Sequence, residues 1–324
     1  MDDRSRFQTY VQYALVRTIT AMLGALPRSF SVALGRCVGR AAYFGFGRLR
    51  HIGLRNLRIA FPKISKADRR KILRACFDNL GRQLGEFCHF ERATVEKLHK
   101  VLEYDPESLA RFNEAKSRGR GILLVTGHLG AWELMPFAHS AFGNPIHILV
   151  RTIENPLIER LIHSIRTKFG NQTIDKRNSG LTCLRVLKKG GMLGILSDLN
   201  ALPQEGVFVP FFGELACTTL AVAALALPSD AIVFPVFAPW EVSRKRYVFR
   251  GGPAIDLVRT GDHDKDLAVN TARVASVIEK WIRAYPEQWL WIHDRWHALV
   301  RPGDRICTEF PPVTGPQDPG PAIP

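Results

Sequence analysis

Residues 122–135 read ILLVTGHLGAWELM, and this stretch decides how the rest of the chain is interpreted. Its first four residues are apolar and end in a Thr-Gly turn, a pattern that predicts a short buried strand. A histidine, His128, and a carboxylate, Glu133, follow directly. Two titratable groups immediately after a core strand indicate a functional site, so the surrounding pattern determines what kind of site it is.

Strand and helix candidates alternate from Gly121 onward. Apolar runs predict strands over residues 122–125, 146–150, 192–197 and 231–237. Helices are predicted to start at Gly130, Asn155-Pro156 and Asn178, with others over residues 65–88 and 218–227. This alternation is typical of an α/β fold with a mostly parallel central sheet flanked by helices. Ligands of such sheets bind beyond the carboxyl ends of the strands, which is where His128 is expected to lie.

His128 and Glu133 can form a general base. If His128 precedes the helix and Glu133 lies in its first turn, we expect the carboxylate to hold one imidazole nitrogen. That contact raises the basicity of the other nitrogen. A histidine after a strand is also commonly a hydrogen-bonded structural residue, and this stretch alone leaves that alternative open.

The positive charge of the chain is concentrated in two blocks. The net charge is +15 over 324 residues, with 46% hydrophobic residues, as expected for a globular protein of one or two domains. Residues 1–60 hold ten arginines against two aspartates, and residues 151–189 hold nine Lys and Arg against three acids. Such surfaces attract nucleic acid, lipid headgroups or an acidic protein.

The N-terminal block favours a membrane surface among these partners. Its arginines recur between apolar residues over residues 10–50, and they interrupt every stretch long enough to span a bilayer. Two helices separated at Pro27 are therefore predicted to lie in the membrane interface, with apolar faces in lipid and arginines toward phosphates. A basic helix pair packed on the protein's own core is the structural alternative. No nucleic-acid motif accompanies the block, so no nucleic-acid partner is expected.

Other functional classes find no support in the motifs. The six cysteines are scattered without a C-x-x-C pair, and we expect them to be reduced and mostly buried. Neither a P-loop nor a G-x-G-x-x-G motif is present. His293 and His297 have a spacing that can bind metal, but no third ligand accompanies them. No metal site and no cofactor are predicted.

Several motifs occur together in a fixed order. Besides H-L-G-A-W-E at residues 128–133, the chain contains Asn56-Leu57, Phe61-Pro62, Arg151, Asn155, I-D-K-R at 174–177, L-S-D at 196–198, V-P-F-F-G at 209–213 and W-L-W-I-H-D-R-W at 289–296. The ordered set resembles the lipid A biosynthesis (lauroyl or myristoyl) acyltransferases, a branch of the lysophospholipid and glycerophosphate acyltransferases with an H-x4-D/E motif. Ala131 stands where that family commonly has asparagine, and Asp198-Leu199-Asn200 replaces an Asp-Gln pair.

The resemblance implies transfer of a fatty acyl chain from acyl carrier protein or acyl-CoA to a hydroxyl of a lipid acceptor. His128 and Glu133 would be catalytic, and Arg151, Asn155, Arg177 and Asp198 would bind substrate or order the site. Since a G-x-S-x-G turn is absent, direct transfer is favoured over a covalent acyl-enzyme. The tryptophan-rich run at 289–296 is interpreted as core packing or a membrane-interface belt.

The residue patterns and the resemblance together predict where the chain lies and how it is divided. We expect a peripheral or monotopic protein on the cytoplasmic face of the inner membrane. The predicted parts are membrane-interacting helices over residues 1–60, an acyltransferase domain over 61–301 and a disordered Pro/Gly-rich tail over 302–324. An acyltransferase of another glycolipid or phospholipid, such as a phosphatidylinositol mannoside, is the nearest alternative. A metal-dependent hydrolase using His128 with His139 or His147, or a basic nucleic-acid-binding module, would be a different class.

Overall fold

The computed structural model of the protein describes residues 3–177 and 179–307. The helices in these ranges are α1 Asp3–Ala25, α2 Arg28–Gly45, α3 Gly47–Ala60, α4 Lys66–Phe87, α5 Val95–His99, α6 Pro106–Ser117, α7 Leu134–Ala141, α8 Pro156–Arg166, α9 Gly180–Lys188, α10 Ala221–Ser229 and α11 His263–Ala284. The strands are β1 Leu102–Tyr104, β2 Ile122–Thr126, β3 His147–Val150, β4 Gln172–Asp175, β5 Met192–Leu196, β6 Gly206–Phe211, β7 Glu214–Thr219, β8 Ile232–Phe237, β9 Trp240–Glu241 and β10 Arg246–Gly251.

The central sheet has the strand order β1-β10-β8-β2-β5-β3-β4, with β9 paired to β10. Among the described strands of this sheet, β10 is antiparallel to β8 and β9, and the other neighbouring pairs are parallel. All four strands predicted from the sequence lie in it. The prediction of an α/β fold with a mostly parallel central sheet flanked by helices is confirmed.

The central strand β2 is buried on both faces, which explains its uninterrupted apolar sequence. Because side chains alternate along a strand, Leu123 and Val125 join one apolar cluster, and Leu124 joins another on the opposite face. The first cluster includes residues of α9, α10 and α11, and the second includes residues of α6 and α7. Helices on both faces hold β2 and its neighbours in a fixed register.

Three local predictions need correction or fall outside the described residues. The helix expected at Gly130 begins at Leu134, because residues 128–131 bond to other loops instead. The helix expected at residue 218 begins at Ala221, since Thr218 and Thr219 pair with β6 in a two-stranded sheet. The start expected at Asn178 lies outside the described residues, and the helix there is observed from Gly180.

The N-terminal helices are partly integrated into the domain. Helix α2 crosses α4 at very short range, where Gly35 faces Gly81 and a Cβ on Gly81 would lie 2.2 Å from the Gly35 carbonyl oxygen. The expectation that arginines of this block point to lipid phosphates needs correction, because the four that interrupt the apolar run pair with acids of the protein. These pairs are Arg17 with Glu91, Arg28 with Glu86, and Arg36 and Arg40 with Asp78.

The same helices nevertheless expose an apolar face. Large apolar side chains recur every three or four residues on the outer face of α1 and continue onto α2: Phe7, Val11, Leu15, Ile19, Met22, Phe30, Leu34 and Val38. They are 41–73% exposed. In the described part of the chain, no helix is both long and apolar enough to cross a bilayer.

The start of the predicted tail is ordered against the domain. The Phe208 amide donates to the Arg305 carbonyl, and the Cys307 amide donates to the Phe208 carbonyl. Cys307 is buried. Residues 305–307 therefore extend the domain past the predicted boundary at 302, and residues 308–324 lie outside the described ranges.

Candidate active site

His128 and Asp198 meet at the carboxyl ends of two adjacent parallel strands. Thr126 at the end of β2 is in register with Leu196 at the end of β5, so the loops that follow start side by side. His128 Nδ1 lies 2.9 Å from Asp198 Oδ1, and the His128 amide donates to Asp198 Oδ2 over 2.7 Å. The side chain of Asp198 is fully buried, whereas that of His128 is 22% exposed. One carboxylate thus holds both the ring and the backbone of the histidine.

Glycines on both sides of His128 allow this turn to pack closely against its neighbours. A Cβ on Gly127 would lie 3.0 Å from the Cβ and Cγ of Asp198. Gly130 has a φ of +65°, and a Cβ there would lie 2.2 Å from the carbonyl oxygen of Ala238. The turn that presents His128 therefore requires glycine at both ends.

The pair is electrostatically coupled. Burial lowers the pKa of His128, but the charge of Asp198, the hydrogen bond between them and the charge of Glu133 together raise that pKa above its ordinary value. Burial raises the pKa of Asp198, but the charge of His128 and hydrogen bonds from His128 and Trp289 keep that pKa below its ordinary value. Asp198 is thus an ionised acceptor, and His128 Nδ1 carries the proton between them.

Glu133 does not hold the imidazole ring as expected. The structure gives that position to Asp198, since Glu133 lies at the start of α7 and turns toward α8. There Arg166 donates two hydrogen bonds to it, from Nη2 to Oε1 over 2.6 Å and from Nε to Oε2 over 3.1 Å. Glu133 acts on His128 through its charge, and both residues line the same cavity.

The other predicted site residues lie in different places, and only some of them are close to the cavity. Arg151 lies at the mouth of the cavity and is exposed. Asn155 is buried away from the cavity lining, where it caps α8 and donates to the Thr9 carbonyl and to Gln12 of α1. Arg177 is 74% exposed and paired with Asp175, outside the lining. Asp198 is placed behind His128, without a side chain exposed to substrate.

A cavity of about 950 Å³ opens beside His128. Its interior lies between α7 and one face of the sheet and crosses five adjacent strands, each of which contributes an apolar residue or glycine: Ile148, Gly194, Leu124, Val236 and Phe249. Four strand spacings of about 4.8 Å give it a span of about 19 Å. Polar and charged side chains line its mouth: His128, Glu133, Arg151, Arg166, Lys176, Asn200 and His293.

Sequence reasoning missed residues that complete the site. Trp289 is 1% exposed and donates from its indole nitrogen to Asp198 Oδ2 over 2.7 Å. His293 Nε2 is hydrogen-bonded to Asn200 Oδ1 at the cavity mouth. Both belong to the tryptophan-rich run interpreted as packing or a membrane belt, and His293 was considered only as a metal ligand. Arg166 was counted only within a basic block. A polar atom on a buried aromatic ring was the available signal for Trp289.

The histidines considered for a metal site have other partners. The ring of His139 stacks on Phe249, and its Nδ1 lies 2.6 Å from the Tyr104 hydroxyl. Burial lowers the pKa of His139 to about 3. His147 Nδ1 lies 3.3 Å from the Met192 carbonyl oxygen. Within residues 3–177 and 179–307, no group of three or more His, Cys, Asp and Glu side chains is arranged to hold a metal ion.

Comparison with known proteins places these features in context. The sequence profile of a family described as "Bacterial lipid A biosynthesis acyltransferase" matches residues 2–298. The lipid A biosynthesis lauroyltransferase of Escherichia coli K12 is 30% identical, over 83% of this chain and 86% of that protein. The lipid A biosynthesis palmitoleoyltransferase of the same strain is 27% identical, over 83% of this chain and 86% of that protein. A phosphatidylinositol mannoside acyltransferase of Mycobacterium tuberculosis is 23% identical, over 69% of this chain and 70% of that protein.

Proposed function

Because the chain belongs to the bacterial lipid A biosynthesis acyltransferase family, we propose that it transfers a fatty acyl chain from a thioester to a hydroxyl of a lipid A precursor. The resemblance inferred from the ordered motifs is thereby confirmed, and the protein is an acyltransferase. One observation carries the assignment of the chemistry: a histidine held by a buried carboxylate at the mouth of an apolar cavity.

His128 acts as the general base in this proposal. With Nδ1 donating to Asp198, the lone pair of Nε2 takes the proton of the acceptor hydroxyl. The hydroxyl oxygen bonds to the thioester carbonyl carbon, and the C–S bond then breaks. The imidazolium returns its proton to the departing thiolate, so that an ester and a free thiol result. Asp198 stabilises the imidazolium throughout, and the charge of Glu133 adds to this effect.

The cavity binds the acyl chain of the donor. Its interior is lined mainly by apolar side chains from α7 and the sheet, together with His139, and its span of about 19 Å suits an extended hydrocarbon chain. Its mouth places the reacting thioester beside His128. Gly194 in the floor leaves room that a side chain would occupy, because a Cβ there would already lie 3.1 Å from Ile146.

The cationic mouth binds the anionic parts of both substrates. Arg151, Lys176 and Arg166 line it, although Arg166 is already paired with Glu133. Guanidinium groups suit phosphate, which a lipid A precursor and coenzyme A both carry. Arg177 lies outside the cavity on the exposed surface, where it can contact an acidic carrier protein. Acyl carrier protein and acyl-CoA are therefore both retained as donors.

The exposed apolar face of α1 and α2 rests in the membrane surface. A continuous row of large apolar side chains on a surface helix is the signature of interfacial binding. Asn155 ties α1 to α8, and α8 ends at Arg166 in the cavity mouth. Docking of α1 on the cytoplasmic leaflet of the inner membrane therefore brings lipid headgroups near the site. The chain is peripheral or monotopic in this arrangement.

Acylation of another glycolipid is the second candidate. The similarity to a phosphatidylinositol mannoside acyltransferase favours it, and the same His128 chemistry would serve. Purified protein is incubated with acyl carrier protein or CoA thioesters and with each acceptor, and the lipids are analysed by mass spectrometry. We expect one acyl chain gained by the lipid A precursor. A gain by the phosphatidylinositol mannoside alone would support the second candidate and overturn the first.

A further inference from the structure

The run at 289–296 contacts the catalytic turn at several points. Trp289 donates from its indole nitrogen to Asp198 Oδ2, at 2.7 Å. The Leu290 amide donates to the His128 carbonyl over 3.1 Å, and the Gly130 amide donates to the Gln288 carbonyl over 3.1 Å. Leu129 and Trp289 form an antiparallel bridge. Residues 288–290 thus contact both the turn at residues 128–130 and the carboxylate of Asp198.

We propose that Trp289 is a positioning residue for acyl transfer, whose indole N–H fixes the orientation of Asp198 and thereby that of the His128 ring. This inference rests on the proposed role of His128 as the base. Trp289 does not line the cavity, so it acts through Asp198 and not on substrate. The proposal gives the aromatic run a catalytic support function beyond core packing.

The geometry explains why one N–H matters. Within the described residues, Asp198 accepts from the His128 amide, His128 Nδ1 and Trp289 Nε1. Oδ2 takes the amide and the indole, which leaves Oδ1 for the imidazole. A fully buried carboxylate that loses one donor is under-solvated and turns to recover a partner. Rotation of the carboxylate would move Oδ1 away from the imidazole.

Trp291 provides a matched control. It is also buried, and its indole nitrogen donates over 2.5 Å to the Pro286 carbonyl, away from Asp198. The two rings contact each other edge to face with centroids 4.6 Å apart. Trp289→Phe and Trp291→Phe therefore remove the same N–H and the same ring atoms from the same cluster, and they differ in whether Asp198 loses a donor.

The test measures acyl transfer and the His128 ring together. Trp289→Phe should lower kcat roughly 10- to 100-fold, the size expected for a hydrogen bond to a charged group, with KM within about twofold. In the free enzyme, the His128 Nδ1 proton should exchange faster with solvent by NMR. Trp291→Phe should leave kcat and this exchange rate unchanged. Equal kcat losses in the two variants, or wild-type kcat in Trp289→Phe, would overturn the proposal.

A second variant separates this inference from folding and from the proposed function. Incorporation of benzothienylalanine at position 289 keeps the shape of the ring but replaces the N–H by sulfur. It should reproduce the kcat loss of Trp289→Phe while its circular dichroism spectrum shows a folded protein, and wild-type kcat would overturn the positioning role. His128→Ala is assayed in parallel. If His128→Ala kept full activity, the proposed function would fail on that result, whatever the Trp289 variants show.

Discussion

Asp198 Oδ1 accepts a hydrogen bond from His128 Nδ1 at 2.9 Å, although 70 positions separate the two residues in the chain. The contact exists because β2 and β5 are neighbouring parallel strands that end in register. It makes Asp198 the residue that orients the His128 ring. Substitution of each group near this pair should therefore change the acyl transfer rate or its pH dependence in a different way.

Asp198→Asn should lower the acyl transfer rate roughly 10²- to 10⁴-fold, because an amide can neither stabilise an imidazolium nor fix the ring tautomer. The double variant with His128→Ala should be no slower than His128→Ala alone, since both changes disable one base. Rates are measured with a thioester donor in detergent. Multiplicative losses in the double variant would show that the two residues act independently.

The pH dependence of the rate reports the same pair. Transfer needs neutral His128, so kcat/KM should rise with pH through a midpoint above the ordinary histidine pKa of 6.5, because Asp198 and Glu133 outweigh burial. Asp198→Asn removes the larger opposing charge, so the midpoint measured on its residual activity should move down. The raised pKa also means that His128 stabilises the fold fully below pH 6.5 and that this contribution is lost as the pH rises through the folded-state pKa. An unchanged midpoint in Asp198→Asn would contradict the coupling.

The sequence predicted the sheet more fully than the site. Residues 122–125 could be recognised as a core strand because burial on both faces demands an unbroken apolar run. Within the H-x4-E motif, however, Glu133 is the nearest carboxylate in the sequence, so it was predicted as the partner of His128. Asp198 takes that place through strand order, which no local pattern encodes. Trp289 was missed for the same reason. A tryptophan-rich run predicts that its rings are buried, but it does not show which group the indole N–H contacts.

Glu133→Gln should lower the transfer rate less than Asp198→Asn, by roughly 10-fold, because it removes a charge near His128 and not its hydrogen bond. It also weakens the two-point pair with Arg166. The variant is assayed under the conditions used for Asp198→Asn. The control is Glu114→Gln, which breaks an exposed Glu–Arg pair on α6 and should leave the rate unchanged. A loss for Glu133→Gln as large as that for His128→Ala would instead make Glu133 the principal partner of the base.

Phe30→Glu should weaken binding to anionic lipid vesicles roughly 10- to 100-fold, because it replaces about 1.5–3 kcal/mol of apolar burial by a charge. Phe30 is 67% exposed on the apolar face of α2. Val242→Glu is the control, since Val242 is 79% exposed in the turn between β9 and β10. Vesicle co-sedimentation at high salt gives the comparison. Equal losses for both variants, or none for Phe30→Glu, would exclude α2 from the binding surface.

The central claim is that His128 is the base of acyl transfer. The most direct measurement is the initial rate of the His128→Ala variant in a detergent-solubilised assay, with a lipid A precursor and an acyl thioester as substrates. We expect a fall of roughly 10²- to 10⁴-fold while the melting temperature and vesicle binding show a folded protein that still reaches the membrane. A folded His128→Ala protein that transfers acyl chains at the wild-type rate would contradict the claim.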